Sequence, residues 1–115
     1  MLMAKLQYQN NRSRYFEFLI DLGADYTLIS ESDAMLLGIE SKDLLGEKIN
    51  VEVANLQFLE VHKVDLLITI EGVEIDIPVL ISKTECECLL GRKGVFDKFD
   101  ILFKEKNQEC VFSKN

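Results

Sequence analysis

Asp21 stands where a run of alternating apolar residues stops. Phe16, Phe18 and Ile20 alternate with Glu17 and Leu19, the period of a half-buried strand. The strand runs into Asp21-Leu22-Gly23-Ala24-Asp25. Gly23 is expected to let the backbone turn sharply and come close to whatever lies beside Asp21. Thr27, Leu28 and Ile29 return to apolar character, so packed structure would hold Asp21 from both sides. Two readings follow. One is a carboxylate fixed in place for catalysis. The other is a β-turn whose Asp caps backbone amides.

Other residues that can do chemistry are sparse. His62 is the only histidine, and on a strand it reads as a polar face residue. Cys86 and Cys88 are two apart, which on a strand puts both thiols on one face as packing groups. With Cys110 they make three cysteines and no Cys/His cluster of zinc spacing. Ser30 and Ser82 lack the Gly-x-Ser-x-Gly context of a serine hydrolase. No glycine-rich phosphate loop is present. The residues therefore call for neither a metal nor a cofactor.

Composition narrows the partners. A chain of 115 residues fits one domain, residues 1–115, able to bury roughly two thirds of its surface. Hydrophobic residues at 48% and charged ones at 29% are globular proportions. The net charge of −7 argues against nucleic acid, which requires clustered Lys and Arg, and suits basic or neutral peptides. No apolar stretch approaches the length of a membrane span. No basic segment followed by an apolar run marks a leader. Reduced thiols in a cytoplasm are the expectation.

The elements that must position Asp21 are mostly strands. Met3 to Tyr8 reads as a first strand that turns at Asn10-Asn11 into the one carrying Asp21. Ser30-Glu31-Ser32-Asp33 reads as a variant capping box before a short helix over Ala34 to Leu37, with Gly38 in the left-handed stop position. Alternation resumes at Ile49, Val51 and Val53, then at Leu56 and Phe58, then from His62 to Ile70. Glu71-Gly72 reads as a hairpin turn into Val73, Ile75, Ile77 and Val79. Pro78 suggests a strand edge or a strand end. Leu89 to Gly91 reads as a short inner strand, Gly94 to Lys98 as a helical turn, and Phe99 to Phe103 as a further strand. Regular short strands with turn signals imply a closed or partly closed barrel with one or two short helices.

Leu89-Leu90-Gly91-Arg92, placed after the long β region, supplies a second motif. Together with Leu19-Ile20-Asp21-Leu22-Gly23-Ala24-Asp25 it resembles the retropepsin-like aspartic proteases, the family of the retroviral proteases and their cellular and archaeal relatives. The family pattern is apolar-apolar-Asp-Thr/Ser-Gly-Ala near the start, and apolar-apolar-Gly-Arg with a short helix toward the end. Order and separation both fit from Phe16 to Phe103, and two linked motifs are more specific than one.

The resemblance implies a retropepsin-like acid-protease barrel that hydrolyses peptide bonds, with Asp21 catalytic in the loop Leu22, Gly23, Ala24 and Asp25. Because this short chain has one such motif, it implies a homodimer with Asp21 and its mate at the two-fold axis. It implies a pairing of Asp25 with Arg92, bidentate if partly buried. It implies a flap over the cleft, here about Val53, Ala54, Asn55 and Leu56, although the stretch has no glycine. The chief departure is Leu22, where the family has Thr or Ser. That departure supports the alternative of an inactive dimerisation or peptide-binding module of the same fold. An unrelated small β-barrel binding domain stands further off.

Overall fold

The structure is a computed structural model and describes residues 1–44, 49–53, 57–104 and 109–114. Period-two alternation builds its sheet. Strand β1 (Leu2–Gln7) turns Leu2, Ala4 and Leu6 inward and pairs antiparallel with β2 (Arg14–Ile20), Leu2 opposite Phe18. After the Asp21 loop comes β3 (Thr27–Ser30), buried along its whole length. Helix α1 (Glu31–Leu36) begins where Ser30 Oγ accepts from the Asp33 amide at 3.2 Å. It stops at Gly38, φ 85°, where the Gly38 amide donates to the Met35 carbonyl and the Ile39 amide to the Ala34 carbonyl. That is a Schellman closure, which requires a left-handed residue at this point. A 3-10 turn follows at Ser41–Leu44.

Strands β4 (Ile49–Val53) and β5 (Gln57–Ile70) pair antiparallel from Ile49 opposite Val61 to Val53 opposite Gln57. Strand β5 turns through Glu71 and Gly72, both at positive φ (50° and 77°), into β6 (Val73–Ser82). Two successive positive φ values are the type I′ hairpin geometry that matches strand twist. The two-residue strand β7 (Leu89–Leu90) lies between β2, to which it is parallel, and β3, to which it is antiparallel. The order is β1-β2-β7-β3-β6-β5, and β5 pairs back onto β1 through Ile68 opposite Leu6, so six strands close into a barrel. Strand β4 extends the sheet beyond β5. Strands β8 (Phe99–Lys104) and β9 (Glu109–Lys114) form a separate antiparallel pair. The fold is therefore mostly β, a retropepsin-like barrel with one short α-helix among the described residues.

Phe18, Leu6, Ile68, Ile29, Ile81 and Leu90 fill the barrel, each worth about 1.5–3 kcal/mol of burial. Ala34 and Leu37 of the helical segment and Val95 beyond β7 join the same core. A smaller cluster of Leu28, Val61 and Leu80 packs with Tyr26, Cys86 and Leu89.

Two local expectations change. His62 is not a polar surface residue. It is 4% exposed, opposite Ile81 and in line with Val64 and Leu66, and its Nδ1 has no hydrogen-bond partner. Cys86 and Cys88 do not share a strand face, because the chain is irregular until Leu89. Cys88 enters the main core, while Cys86 joins the smaller cluster. Residues 93–98 form hydrogen-bonded turns, the Phe96 amide donating to the Arg92 carbonyl at 3.1 Å as in one turn of helix, with Gly94 at φ 79°. Of the expected flap, Val53 ends β4, while Ala54, Asn55 and Leu56 lie outside the described residues. Pro78 falls one position before the β3–β6 ladder begins at Val79, where that side of β6 is still unpaired with β3. No helix among the described residues is long and apolar enough to cross a membrane.

Candidate active site

Strand β2 delivers Asp21 to the rim of the barrel, and β7 holds it there. The Leu19 amide donates to the Cys88 carbonyl at 2.9 Å and the Asp21 amide to the Leu90 carbonyl at 3.1 Å. Further along, the Arg92 amide donates to the Ala24 carbonyl (3.0 Å) and the Lys93 amide to the Asp25 carbonyl (2.7 Å). The two stretches singled out in the sequence thus lie side by side, joined by backbone hydrogen bonds along both.

Asp21 is partly buried. Its Oδ1 accepts from the Gly23 amide at 3.0 Å, and its carbonyl accepts from the Ala24 amide at 3.2 Å. Both readings of this residue describe the same geometry. The carboxylate organises its own turn with one oxygen, and the turn fixes the carboxylate. Leu22 is 49% exposed beside it. Gly23 is not at positive φ, and a Cβ there would sit 3.4 Å from Asp21 Oδ1, an ordinary contact. The close approach that requires glycine is at Gly91, where a Cβ would run into the Tyr26 backbone. The Gly91 amide donates to Thr27 Oγ1 at 3.1 Å in a buried position. Sequence reading treated Thr27 only as apolar. Thr27 opens a wholly buried strand, and a hydroxyl in such a place was the available signal.

Asp25 and Arg92 meet differently from the expected bidentate, partly buried pair. One guanidinium nitrogen stands 3.9 Å from Asp25 Oδ1, and the side chains are 58% (Arg92) and 71% (Asp25) exposed in the single chain. The backbone bonds, not this ion pair, join the two loops.

Behind the loop, Cys88 Sγ donates to Asp33 Oδ2 at 3.3 Å. Burial, together with that hydrogen bond and the Asp33 charge, pushes the Cys88 thiol up to about 12. Burial also pushes the Cys86 thiol up. Beside the loop, Lys93 Nζ donates to Tyr26 Oη at 3.1 Å and lies 4.7 Å from the ring centroid, with Lys63 Nζ at 5.5 Å. The Lys93 hydrogen bond and charge, then the Lys63 charge, lower the Tyr26 phenol below its ordinary value. Sequence reading missed this cluster because its members lie on three separate segments. Among the described residues, no three His, Cys, Asp or Glu side chains gather as a metal site.

No family model matches the chain, and no curated protein matches it in sequence. Among solved structures it is similar to the EIAV protease complexed with the inhibitor HBY-793, with a TM-score of 0.56 and 18% identity over 78% of each chain. At that identity the likeness is one of fold. It extends the barrel description to a retroviral protease and leaves the chemistry to the residues themselves.

Proposed function

We propose that this chain is an aspartic endopeptidase that works as a homodimer. The observation that supports it most is Asp21 at the end of β2, its amide tied to Leu90, within a barrel similar to that of a retroviral protease. Two copies related by a two-fold axis would bring two Asp21 carboxylates together. Two like charges that close cannot both ionise, so they would share one proton. The ionised member would take a proton from water as it attacks the scissile carbonyl. The protonated member would donate to the carbonyl oxygen, and a proton would then pass to the departing amine. The pair would titrate as a unit. The substrate is a peptide or protein segment, and the chemistry calls on no metal or cofactor. The thiols of Cys86 and Cys88 are free, which favours a reducing compartment such as the cytoplasm.

One observation favours a second reading, an inactive peptide-binding or dimerisation module. Leu22 brings a half-exposed apolar side chain beside Asp21, where the retropepsin pattern has a hydroxyl.

The test is incubation with a diverse peptide library at several pH values, with and without a pepstatin-type inhibitor, beside sedimentation equilibrium. The expected result is inhibitor-sensitive cleavage with an acid-shifted bell, lost in Asp21→Asn, from a species of twice the 13.2 kDa chain mass. Cleavage that survives Asp21→Asn, or a strict monomer at every concentration, overturns it. Peptide binding by a dimer that cleaves nothing favours the second reading.

A further inference from the structure

We propose that the site selects peptides carrying an acidic side chain, Asp or Glu, near the scissile bond, and that Lys63 and Lys93 around Tyr26 receive it. This inference rests on the proposed peptide site and names its substrate class.

The cluster is built on the outer face of the barrel. Lys63 of β5 is opposite Leu80 of β6, and Leu80 is opposite Leu28 of β3. Leu80, Leu28 and Tyr26 belong to the smaller apolar cluster. The Tyr26 ring is thus seated by packing, and the two ammonium groups converge on it at 5.5 and 4.7 Å from its centroid. They stand no farther apart than about one Debye length at ordinary ionic strength. Among the described residues, neither ammonium has a carboxylate within ion-pair distance. This is an unusual arrangement in a chain with 20 Asp and Glu against 13 Lys and Arg. Each cation is satisfied only by the ring face and, for Lys93, by the phenol oxygen. Such exposed cation–π contacts are weak and leave ammonium hydrogens free for an anion.

Two carboxylates stand near the pair, and neither forms an ion pair with Lys63 or Lys93. Asp25 faces the Arg92 guanidinium at 3.9 Å. Asp65 lies two positions from Lys63 along β5, on the same face by alternation. The overall charge of −7 acts mostly from beyond a Debye length and is screened, so the nearby charges, Lys63, Lys93 and Arg92 against Asp25 and Asp65, set the local preference.

The cluster is within reach of the reacting bond. Tyr26 is five residues from Asp21, a separation of at most about 18 Å even for an extended chain. The loop is folded rather than extended, and the Lys93 amide is bonded to Asp25. An extended peptide crossing Asp21 spans the same distance within about five of its own residues.

The experiment uses matched peptides that differ only in Glu or Gln at each position flanking the cleaved bond. They are cleaved by the wild-type chain, and their binding to Asp21→Asn is measured by fluorescence anisotropy. At one flanking position, Glu should exceed Gln by about two- to fivefold in kcat/KM and in affinity, the range expected of solvent-exposed charge pairs. The preference should shrink as salt rises and vanish in Lys63→Gln/Lys93→Gln with thermal midpoint unchanged. Cleavage without any Glu preference overturns this inference and leaves the peptidase reading standing. Salt-sensitive Glu preference in binding, lost in the double variant but without cleavage, supports this inference and removes the peptidase reading. A Glu preference that survives the double variant overturns it.

Discussion

The Thr27 hydroxyl accepts a hydrogen bond from the Gly91 amide at 3.1 Å, and both partners are buried. This contact ties the first residue of β3 to the residue that follows β7, so the Asp21 loop is pinned on its far side as well as along β2. Thr27→Val keeps the shape and removes the acceptor. A buried amide left unpaired costs on the order of 1–3 kcal/mol. Chemical denaturation should show a loss of that size, with Thr27→Ser closer to wild type. Equal stability for Val and wild type would mean the hydroxyl is not what holds the loops together.

The neighbouring glycine gives the complementary case. A Cβ at Gly91 would overlap the Tyr26 carbonyl and come within 2.8 Å of the Thr27 amide nitrogen. Backbone atoms cannot swing aside as a flexible side chain does, so Gly91→Ala should destabilise by at least the roughly 1–3 kcal/mol of an overpacked site. Gly23→Ala, with an ordinary 3.4 Å contact, should fold nearly as wild type in the same denaturation experiment.

These two glycines mark how far the sequence could be read. Period-two alternation at Phe16–Ile20, His62–Ile70 and Val73–Val79 made the strands legible, and Ser30 and Gly38 made the helix ends legible, because each signal is local. The barrel followed in outline. Which glycine has a backbone pressed against it was not legible, since Gly91 meets Tyr26 only through tertiary approach. The same reason hid the Tyr26–Lys63–Lys93 cluster and the thiol of Cys88 reaching Asp33. The burial of His62 was missed because a polar residue at the end of an apolar stripe reads the same whether the stripe ends in solvent or in packing.

Arg92→Ala tests the loop pairing from the other direction. The ion pair with Asp25 is long and exposed, so its loss should cost only about 0–1 kcal/mol. The backbone bonds from Arg92 to Ala24 and from Lys93 to Asp25 survive the substitution. The thermal midpoint should therefore move far less than in Thr27→Val. A loss of several kcal/mol would show that the guanidinium is desolvated in the working assembly.

Cys88 sets a pH dependence. Its thiol is raised from 9.0 to about 12, chiefly by burial and then by Asp33. Below pH 9 the thiol is protonated in both folded and unfolded chains, and its contribution to stability is complete. Between pH 9 and 12 the unfolded chain loses that proton and the folded chain keeps it, so stability falls as pH rises. Tyrosines and lysines also titrate in this window. The expected observation is the difference between wild type and Cys88→Ala in denaturation midpoint, shrinking steadily above pH 9. A difference that stays constant to pH 12 would mean the thiol ionises as readily in the folded chain.

The remaining prediction concerns Leu22, 49% exposed beside Asp21 in the single chain. In a dimer built on the Asp21 loop this side chain would meet its counterpart near the axis. Full burial of such a side chain is worth about 1.5–3 kcal/mol, and with half its surface already covered the gain is smaller. Leucine offers no donor or acceptor there. Any backbone group that the facing loops bury without a partner would cost on the order of 1–3 kcal/mol, so the two effects nearly offset in dimer affinity. They do not offset in catalysis. Apolar packing sets distance loosely, a hydrogen bond sets it sharply, and a misplacement of about 1 Å can cost about a hundredfold in rate. The chain as it stands is therefore expected to cleave slowly. Leu22→Thr should raise kcat/KM by about ten- to a hundredfold while changing dimer affinity little. Leu22→Val, with nearly the shape of Thr and no hydroxyl, should stay at the wild-type rate. Both variants should be assayed on the same peptide with their dimer dissociation constants measured in parallel. Equal rates for Thr and Val, or a slower Thr variant, would show that the missing hydroxyl does not limit this protein.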